Sequence, residues 1–311
     1  MIKRTLYFGN PAYLSVRLAQ LEIRLPEVEK NSTLPESFKA SAVKQIPIED
    51  IGVVVLDNKQ ITITQGALGA LLDNNVAVIS CDEHRMPSGL MLPLAGNTTQ
   101  TERFGHQIEA SLPLKKQLWQ QTIQAKISNQ AAVLRQQRGL ECGNMAAWAK
   151  QVKSGDSDNL EGRAAVFYWQ NLFGDINGFN RDREGIPPNN LLNYGYAILR
   201  AVVARSLVGS GLLPTLGIHH HNRYNAYCLA DDIMEPYRPY VDKLVTEIVD
   251  SGTDISTLTT EIKSKLLSIP VIDVVINERR SPLMIGVGMT TASLYKCYSG
   301  EIRKIAYPIM E

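Results

Sequence analysis

Three of the five histidines in this chain stand in a row, in LGIHHHNRYNAYCLADDIMEPYRP at residues 216–239. Within 15 positions of His220 follow three carboxylates, Asp231, Asp232 and Glu235. Imidazole and carboxylate together can ligate a divalent cation or move protons. Successive residues in an extended turn point in different directions. Three adjacent imidazoles therefore do not converge on one ion; one serves the site while its neighbours pack or cap. If 229–235 is helical, Asp231 and Glu235 are four apart and Asp232 and Glu235 three apart, so the three acids share a face. Leu229, Ile233, Tyr237 and Tyr240 take the opposite, buried face. Like charges at that spacing repel, which a cation would relieve; the alternative is a solvated acidic face. Pro236 kinks the helix or turns Glu235 out of it, which would aim that carboxylate inward.

Glu161 opens an otherwise apolar helical face in DNLEGRAAVFYWQNLFG, with Ala164, Ala165 and Tyr168 one and two turns on. Alone, an acid in a first turn does no more than favour the helix dipole. Basic pairs recur at Lys115-Lys116, Arg135 with Arg138, Arg181 with Arg183, Arg279-Arg280 and Arg303-Lys304. Each reads as a solvated surface pair; together they could line a phosphate track. There is no GxxxxGK[ST], GxSxG or HExxH, which argues against nucleotide hydrolysis and serine-hydrolase chemistry. GVGMTT at 286–291 lacks the third small residue of a dinucleotide fingerprint and a convincing strand before it.

These residues must be positioned by two stretches with different patterning. Residues 1–94 are β-rich. In LSVRL and LEIRL, Leu14, Val16 and Leu18, then Leu21, Ile23 and Leu25, alternate with polar positions, the period of half-buried strands. IGVVVLD and ITIT follow, with Asp57 to Gln60 as a turn between them; QGALGALLDNN reads as a short helix, and VAVISC and GLMLPL as two more strands. Thr99 and Glu102 then form a capping box. Beyond them Leu114, Leu118, Ile123, Ile127 and Leu134 fall at helical spacing up to Gly139. Further helices are expected at about 157–173, 189–208, 229–250 and 256–267. The expected class is α+β: a small N-terminal β-sandwich-like domain at 1–94, a linker at 95–103 and a larger all-α catalytic domain at 104–311.

Composition sets outer bounds. The chain has 311 residues, 44% of them hydrophobic, enough to bury a real core. The net charge of +1 means that any nucleic-acid binding must rest on local basic patches. The first twenty residues hold no unbroken apolar run, so no secretory signal is expected. The longest apolar stretch, LLNYGYAILRAVVARSLVG, is broken by Asn193, Arg200 and Arg205 and reads as a buried helix, not a bilayer span. The four cysteines are far apart without a CxxC, which suits reduced thiols in the cytoplasm.

The order of these segments resembles the integrase family of CRISPR adaptive immunity, which inserts new spacers, and most closely its type II version. The resemblance runs over nearly the whole chain. It is carried by IGVVVLDNKQITIT, LLDNNVAVISCDEHRMPSGLMLPLAGN, QTERFGHQ, LEGRAAVFYW and the segment from FNRDREGIPPNN to DDIMEPYRP. It implies a metal triad of a Glu in a helix-heading Glu-Gly, a His after the Gly of an LG-x-x-H turn, and the acid of D-x-M-E-P. These match Glu161, His220 and Glu235, with Asp232 nearby and His221 the neighbouring imidazole. It also implies double-stranded DNA as partner (prespacer and CRISPR repeat), pairing of the β domains into a homodimer, and a small ferredoxin-like CRISPR-associated companion dimer. Two carboxylates and an imidazole suit Mg²⁺ or Mn²⁺. The expected reaction joins a DNA 3′-hydroxyl to the repeat by transesterification, with Arg163 and Arg181 as basic residues near the site. A metal-dependent endonuclease and a non-catalytic DNA-binding scaffold are the rival readings.

Overall fold

The computed structural model describes residues 3–311, and the chain divides into two compact units, one ending at Gly96 and one beginning at Asn97. The first unit carries two four-stranded sheets. Its elements are β1 (Arg4–Phe8), β2 (Tyr13–Arg17), β3 (Gln20–Arg24), α1 (Pro26–Glu29), α2 (Glu36–Ser41), β4 (Lys44–Pro47), β5 (Ile51–Leu56), β6 (Thr62–Ile63), α3 (Gln65–Asp73), β7 (Ala77–Cys81) and β8 (Pro87–Met91). One sheet has the order β1-β5-β7-β8, the first three strands parallel; the other runs β4-β3-β2-β6. The core between them is Leu14, Leu21, Ile48, Ile51, Val54, Leu71 and Val78, with Val16 and Ile23 packed against it. Parallel pairing explains why β5 and β7 read as unbroken apolar runs, since both faces are covered.

The alternation in β2 and β3 holds only where the strands pair, Leu14 opposite Ile23 and Val16 opposite Leu21. Leu18 is 88% exposed, because it and Ala19 form the two-residue hairpin turn, both at positive φ. The expected turn at Asp57–Gln60 is present, closed by the Ile61 amide donating to the Asn58 carbonyl at 3.2 Å, but it does not make a hairpin: β5 and β6 belong to different sheets, and the segment crosses between them.

The second unit is helical around one hairpin: α4 (Gln100–Glu109), α5 (Leu112–Arg138), α6 (Gly143–Gln151), α7 (Leu160–Leu172), α8 (Asn189–Gly209), α9 (Cys228–Met234), α10 (Arg238–Asp250), α11 (Thr260–Leu266), β9 (Asp273–Ile276), β10 (Arg279–Pro282) and α12 (Leu283–Tyr298). It is therefore not all-α, since β9 and β10 pair antiparallel. The segment 286–291 lies inside α12, directly after that hairpin. The expected linker is also shorter, as α4 begins at Gln100. Thr99 is its N-cap but makes no capping bond; its hydroxyl accepts from Arg103 Nε at 2.8 Å instead, so the capping box does not form. α5 starts on the Ser111 hydroxyl and stops at left-handed Gly139. α8 is buried on nearly all sides and packs against α9, α10 and α12. The expected helix 229–250 is broken into α9, a 3₁₀ turn at Glu235–Tyr237 and α10, as Pro236 dictates. No helix among the described residues is long and apolar enough to cross a membrane.

Asp242 of α10 ties three of these helices together. Its carboxylate accepts the Tyr168 hydroxyl of α7 at 2.9 Å and the Tyr196 hydroxyl of α8. Burial pushes its carboxyl up to about 6, although both tyrosine hydroxyls favour the charged form. The folded chain thus holds this proton more tightly than the unfolded chain, whose aspartate titrates near 3.9. The stability from the protonated form is complete below the unfolded pKa and is lost as pH rises through about 6. Relative to Asp242→Asn, which cannot titrate, the native chain is expected to lose about 2–3 kcal/mol between pH 4 and 6.5. Urea unfolding of both proteins across that range measures it, and a difference independent of pH would contradict it.

Candidate active site

Glu161 is held by its own backbone. Gly155 and Asp156, both at positive φ, turn the chain so that the Asp156 carboxylate accepts from the Leu160 and Glu161 amides, each at 3.0 Å. Asn159 accepts from the Gly162 amide. The free amides at the head of α7 are thereby satisfied, and Ala164 and Tyr168 anchor the helix below. The Glu161 carboxylate is left to meet Lys126 of α5, whose Nζ lies 2.6 Å from Oε1.

The histidine turn is built on Asp232, which is wholly buried. Its Oδ2 accepts from the Ile218 and His219 amides at 2.7 and 2.9 Å, and its Oδ1 from the His220 amide at 3.3 Å. The same Oδ1 lies 2.5 Å from His220 Nδ1. The turn passes so close that a Cβ on Gly217 would fall 2.3 Å from the His220 carbonyl oxygen and 2.8 Å from Asp232 Oδ2, so only glycine fits. A carboxylate facing Nδ1 fixes that nitrogen as the donor and leaves the lone pair on Nε2. The hydrogen bond to Asp232 raises the affinity of this imidazole for a proton despite partial burial, and Glu235 and Glu161 add to the effect.

The three acids do not share a solvated face opposite Leu229, Ile233, Tyr237 and Tyr240. Every residue from Cys228 to Tyr237 is buried, and each acid has its own partners. Asp231 pairs with Arg200 Nε at 2.6 Å and accepts from Asn225 at 2.7 Å. Asp232 is spent on the turn. Glu235, with a side chain 6% exposed, lies on the 3₁₀ turn, and its Oε2 is 2.6 Å from Lys126 Nζ. Its Oε1 is 2.8 Å from Arg238 Nε. Burial disfavours its charge, but Arg238 and Lys126 outweigh that and hold the carboxyl down to about 2. Burial also opposes the charge on Lys126, and here Glu235 and Glu161 prevail.

Glu161 and Glu235, 74 residues apart in sequence, therefore share one cation position, with an oxygen of each 2.6 Å from the same nitrogen. The Lys126 contact with Glu235 Oε2 is an ion pair off the hydrogen-bond axis, and that buried oxygen has no aligned donor. As the side chains stand, no three His, Cys, Asp or Glu groups among the described residues are arranged to hold a metal ion jointly. The donor set nevertheless fits a hard divalent cation: two carboxylates at one point, one with an unsatisfied buried oxygen, beside an imidazole whose Nδ1 is tied.

The other candidates divide. His219 stacks flat on Trp119, ring centres 4.1 Å apart, while His220 meets the same indole edge-on at 5.6 Å. His221 is exposed. Arg163 is exposed, its guanidinium over the Trp148 ring at 4.6 Å. Arg181 is occupied within its own segment by Asn189 and Asn193 of α8 at 2.8 and 2.9 Å. Lys126, Trp119 and Arg238 were not singled out from the sequence. The available signal was Lys126 itself, a lysine on the α5 strip carrying Ile123, Ile127 and Gln130.

Residues 27–265 match the family model "CRISPR associated protein Cas1". Over 223 residues the chain is 40% identical to a CRISPR-associated endonuclease Cas1 of Neisseria meningitidis serogroup C (strain 8013), covering 71% of this chain and 72% of that one. Its fold is similar to that of a casposase bound to integration product, with TM-score 0.76 at 21% identity over 98% of this chain and 93% of that chain. It is also similar to a chain of a Cas6-RT-Cas1–Cas2 complex, with TM-score 0.70 at 18% identity over 97% of this chain and 35% of that chain. At such identities the likeness is one of fold. The extent of the family match and the 40% identical relative agree: the chain belongs to the Cas1 family of CRISPR-associated proteins.

Proposed function

We propose that the chain is a divalent-metal-dependent DNA integrase of CRISPR adaptation, joining prespacer 3′-hydroxyl ends to the CRISPR repeat by transesterification. The observation that carries this reading is the single cation position shared by Glu161 and Glu235 beside His220. Glu161, Glu235 and His220 Nε2 would hold the ion, Mg²⁺ or Mn²⁺. Bound there, it supplies Lewis-acid polarisation of the target phosphodiester and acidifies the attacking hydroxyl. Asp232 keeps the His220 proton on Nδ1, so Nε2 retains the lone pair with which it would hold the ion. Arg238, paired with Glu235 and stacked on Tyr196, sets a fixed positive charge beside the cation position, where it would favour a phosphate on which charge develops. No side-chain nucleophile is needed, because the hydroxyl comes from DNA. The family membership, the integration product named for the casposase and the Cas2 named for the other fold neighbour support double-stranded DNA and a small companion dimer as partners.

The test is a labelled duplex incubated with a repeat-bearing plasmid, Mn²⁺ and the companion protein. Label is expected to enter the plasmid from a 3′-hydroxyl end and not from a 3′-deoxy end. Nicking without incorporation would favour the endonuclease reading, and DNA binding with neither outcome the scaffold.

The family resemblance further supports a homodimer through the β-rich units, where open sheet edges need cover. Light scattering at micromolar concentration is expected to give twice the 34.5 kDa chain mass, and a monomer would reject the pairing.

A further inference from the structure

The mechanism just described leaves one buried charge in the site unexplained. Lys126 projects from the middle of α5, its side chain 12% exposed, and both of its close partners are carboxylates assigned to the metal. Trp119, two turns earlier on the same helix, backs His219 and His220. Asn129, one turn later, donates to the Pro236 carbonyl at 2.8 Å, fixing the 3₁₀ turn that carries Glu235. One face of α5 thus supports all three proposed ligands, and the ammonium lies at the point where the two carboxylates meet.

We propose that Lys126 is a built-in counter-cation of this site. It holds Glu161 and Glu235 together in the metal-free protein, competes with the divalent ion for their oxygens, and yields the position when the ion binds. This rests on the metal reading above. Without a cation, two carboxylates this close, one of them almost wholly buried, repel each other, and a fold that places them there needs a charge of its own. Formal charges on Glu161, Glu235, Lys126 and Arg238 cancel. When a divalent ion enters, the same groups carry an excess of two positive charges, which suits a phosphodiester of DNA. Lys126 has a flexible four-carbon stem, so its ammonium can leave the carboxylates without disturbing α5. A merely structural ion pair would behave differently, since its loss would loosen the ligands and weaken metal binding.

The experiment titrates Mn²⁺ alone into the full chain by calorimetry, for the wild type, Lys126→Met and Glu235→Gln, with melting temperatures recorded with and without Mn²⁺. Lys126→Met is expected to melt several degrees lower without metal, to bind Mn²⁺ roughly tenfold tighter, and to gain more in melting temperature from saturating Mn²⁺ than the wild type does. Unchanged or weaker Mn²⁺ binding by Lys126→Met, where the wild type binds and Glu235→Gln does not, overturns the counter-cation role and leaves the metal reading standing. Absence of Mn²⁺ uptake by both the wild type and a folded Lys126→Met overturns both. Should Lys126→Met fail to fold, Glu161→Gln combined with it removes one of the facing charges. Recovery of a folded, cooperative melt then supports the proposal, and continued failure overturns it.

Discussion

Replacing His220 by alanine is expected to lower strand joining by about 10³-fold or more while leaving the fold and DNA affinity nearly intact. The size follows from the role: Lewis-acid stabilisation by a bound ion is worth several kcal/mol, and about 1.4 kcal/mol is tenfold in rate. Retention of the fold follows from the burial pattern, since the His220 side chain is 45% exposed and the turn is held through backbone amides that alanine keeps. The neighbouring histidines separate by contact. His219 covers one face of Trp119, and its substitution bares an indole under the site, for an expected loss of about 10-fold through loosened support. His221 is exposed and its substitution is expected to leave joining within about threefold of wild type, below the 10–100-fold typical of a supporting residue. The stack on Trp119 makes His219, and not the exposed His221, the neighbour whose loss is expected to be felt. Plasmid-joining rates of the three alanine variants under one set of conditions decide it. An active His220→Ala beside a dead His221→Ala would move the ligand by one residue.

The legible part of this protein is whatever depends on local pattern. The 27-residue α5, the buried α8 and the strand pairing of Leu14 with Ile23 follow from periodicity and caps. The break at Pro236 follows from stereochemistry. What spacing could not convey is which partner each polar group meets. Asp231, Asp232 and Glu235 look equivalent on a helical wheel, yet one pairs with Arg200, one fastens a turn and one faces Lys126. Those partners lie between 12 and 109 residues away from the acids they meet, so only the tertiary fold assigns them. The hairpin β9–β10 is illegible in the sequence for a different reason. Each strand has four residues, too few for alternation to register, and the turn between them uses Asn277 and Glu278 at positive φ without a glycine. Lys126 is illegible because a lysine within a helix ordinarily reads as solvated surface.

Asp232 carries the second large expectation, and the structure changes its part from possible ligand to support. Both oxygens are committed, to three backbone amides and to His220 Nδ1. Asp232→Asn keeps the shape but offers one accepting oxygen and one donating amine. If the oxygen serves the Ile218 and His219 amides, the amine faces Nδ1. Nδ1 must then give up its proton, and the proton moves to Nε2, the nitrogen needed for the metal. Joining is expected to fall by about 10²–10⁴-fold, spanning the usual loss for a supporting residue and the larger loss when a histidine is held in the wrong tautomer. Asp232→Ala should do more. It strands buried donors at about 1–3 kcal/mol each, so the chain is expected to lose about 3 kcal/mol or more against urea as well as its activity. The two variants together separate chemistry from folding: Asp232→Asn is expected to retain most of the stability and little of the rate. Nitrogen-15 shifts of the His220 ring should report Nε2 protonated in Asp232→Asn and Nδ1 protonated in the wild type near pH 8. Wild-type joining by Asp232→Asn, with the ring tautomer unchanged, would remove Asp232 from the mechanism.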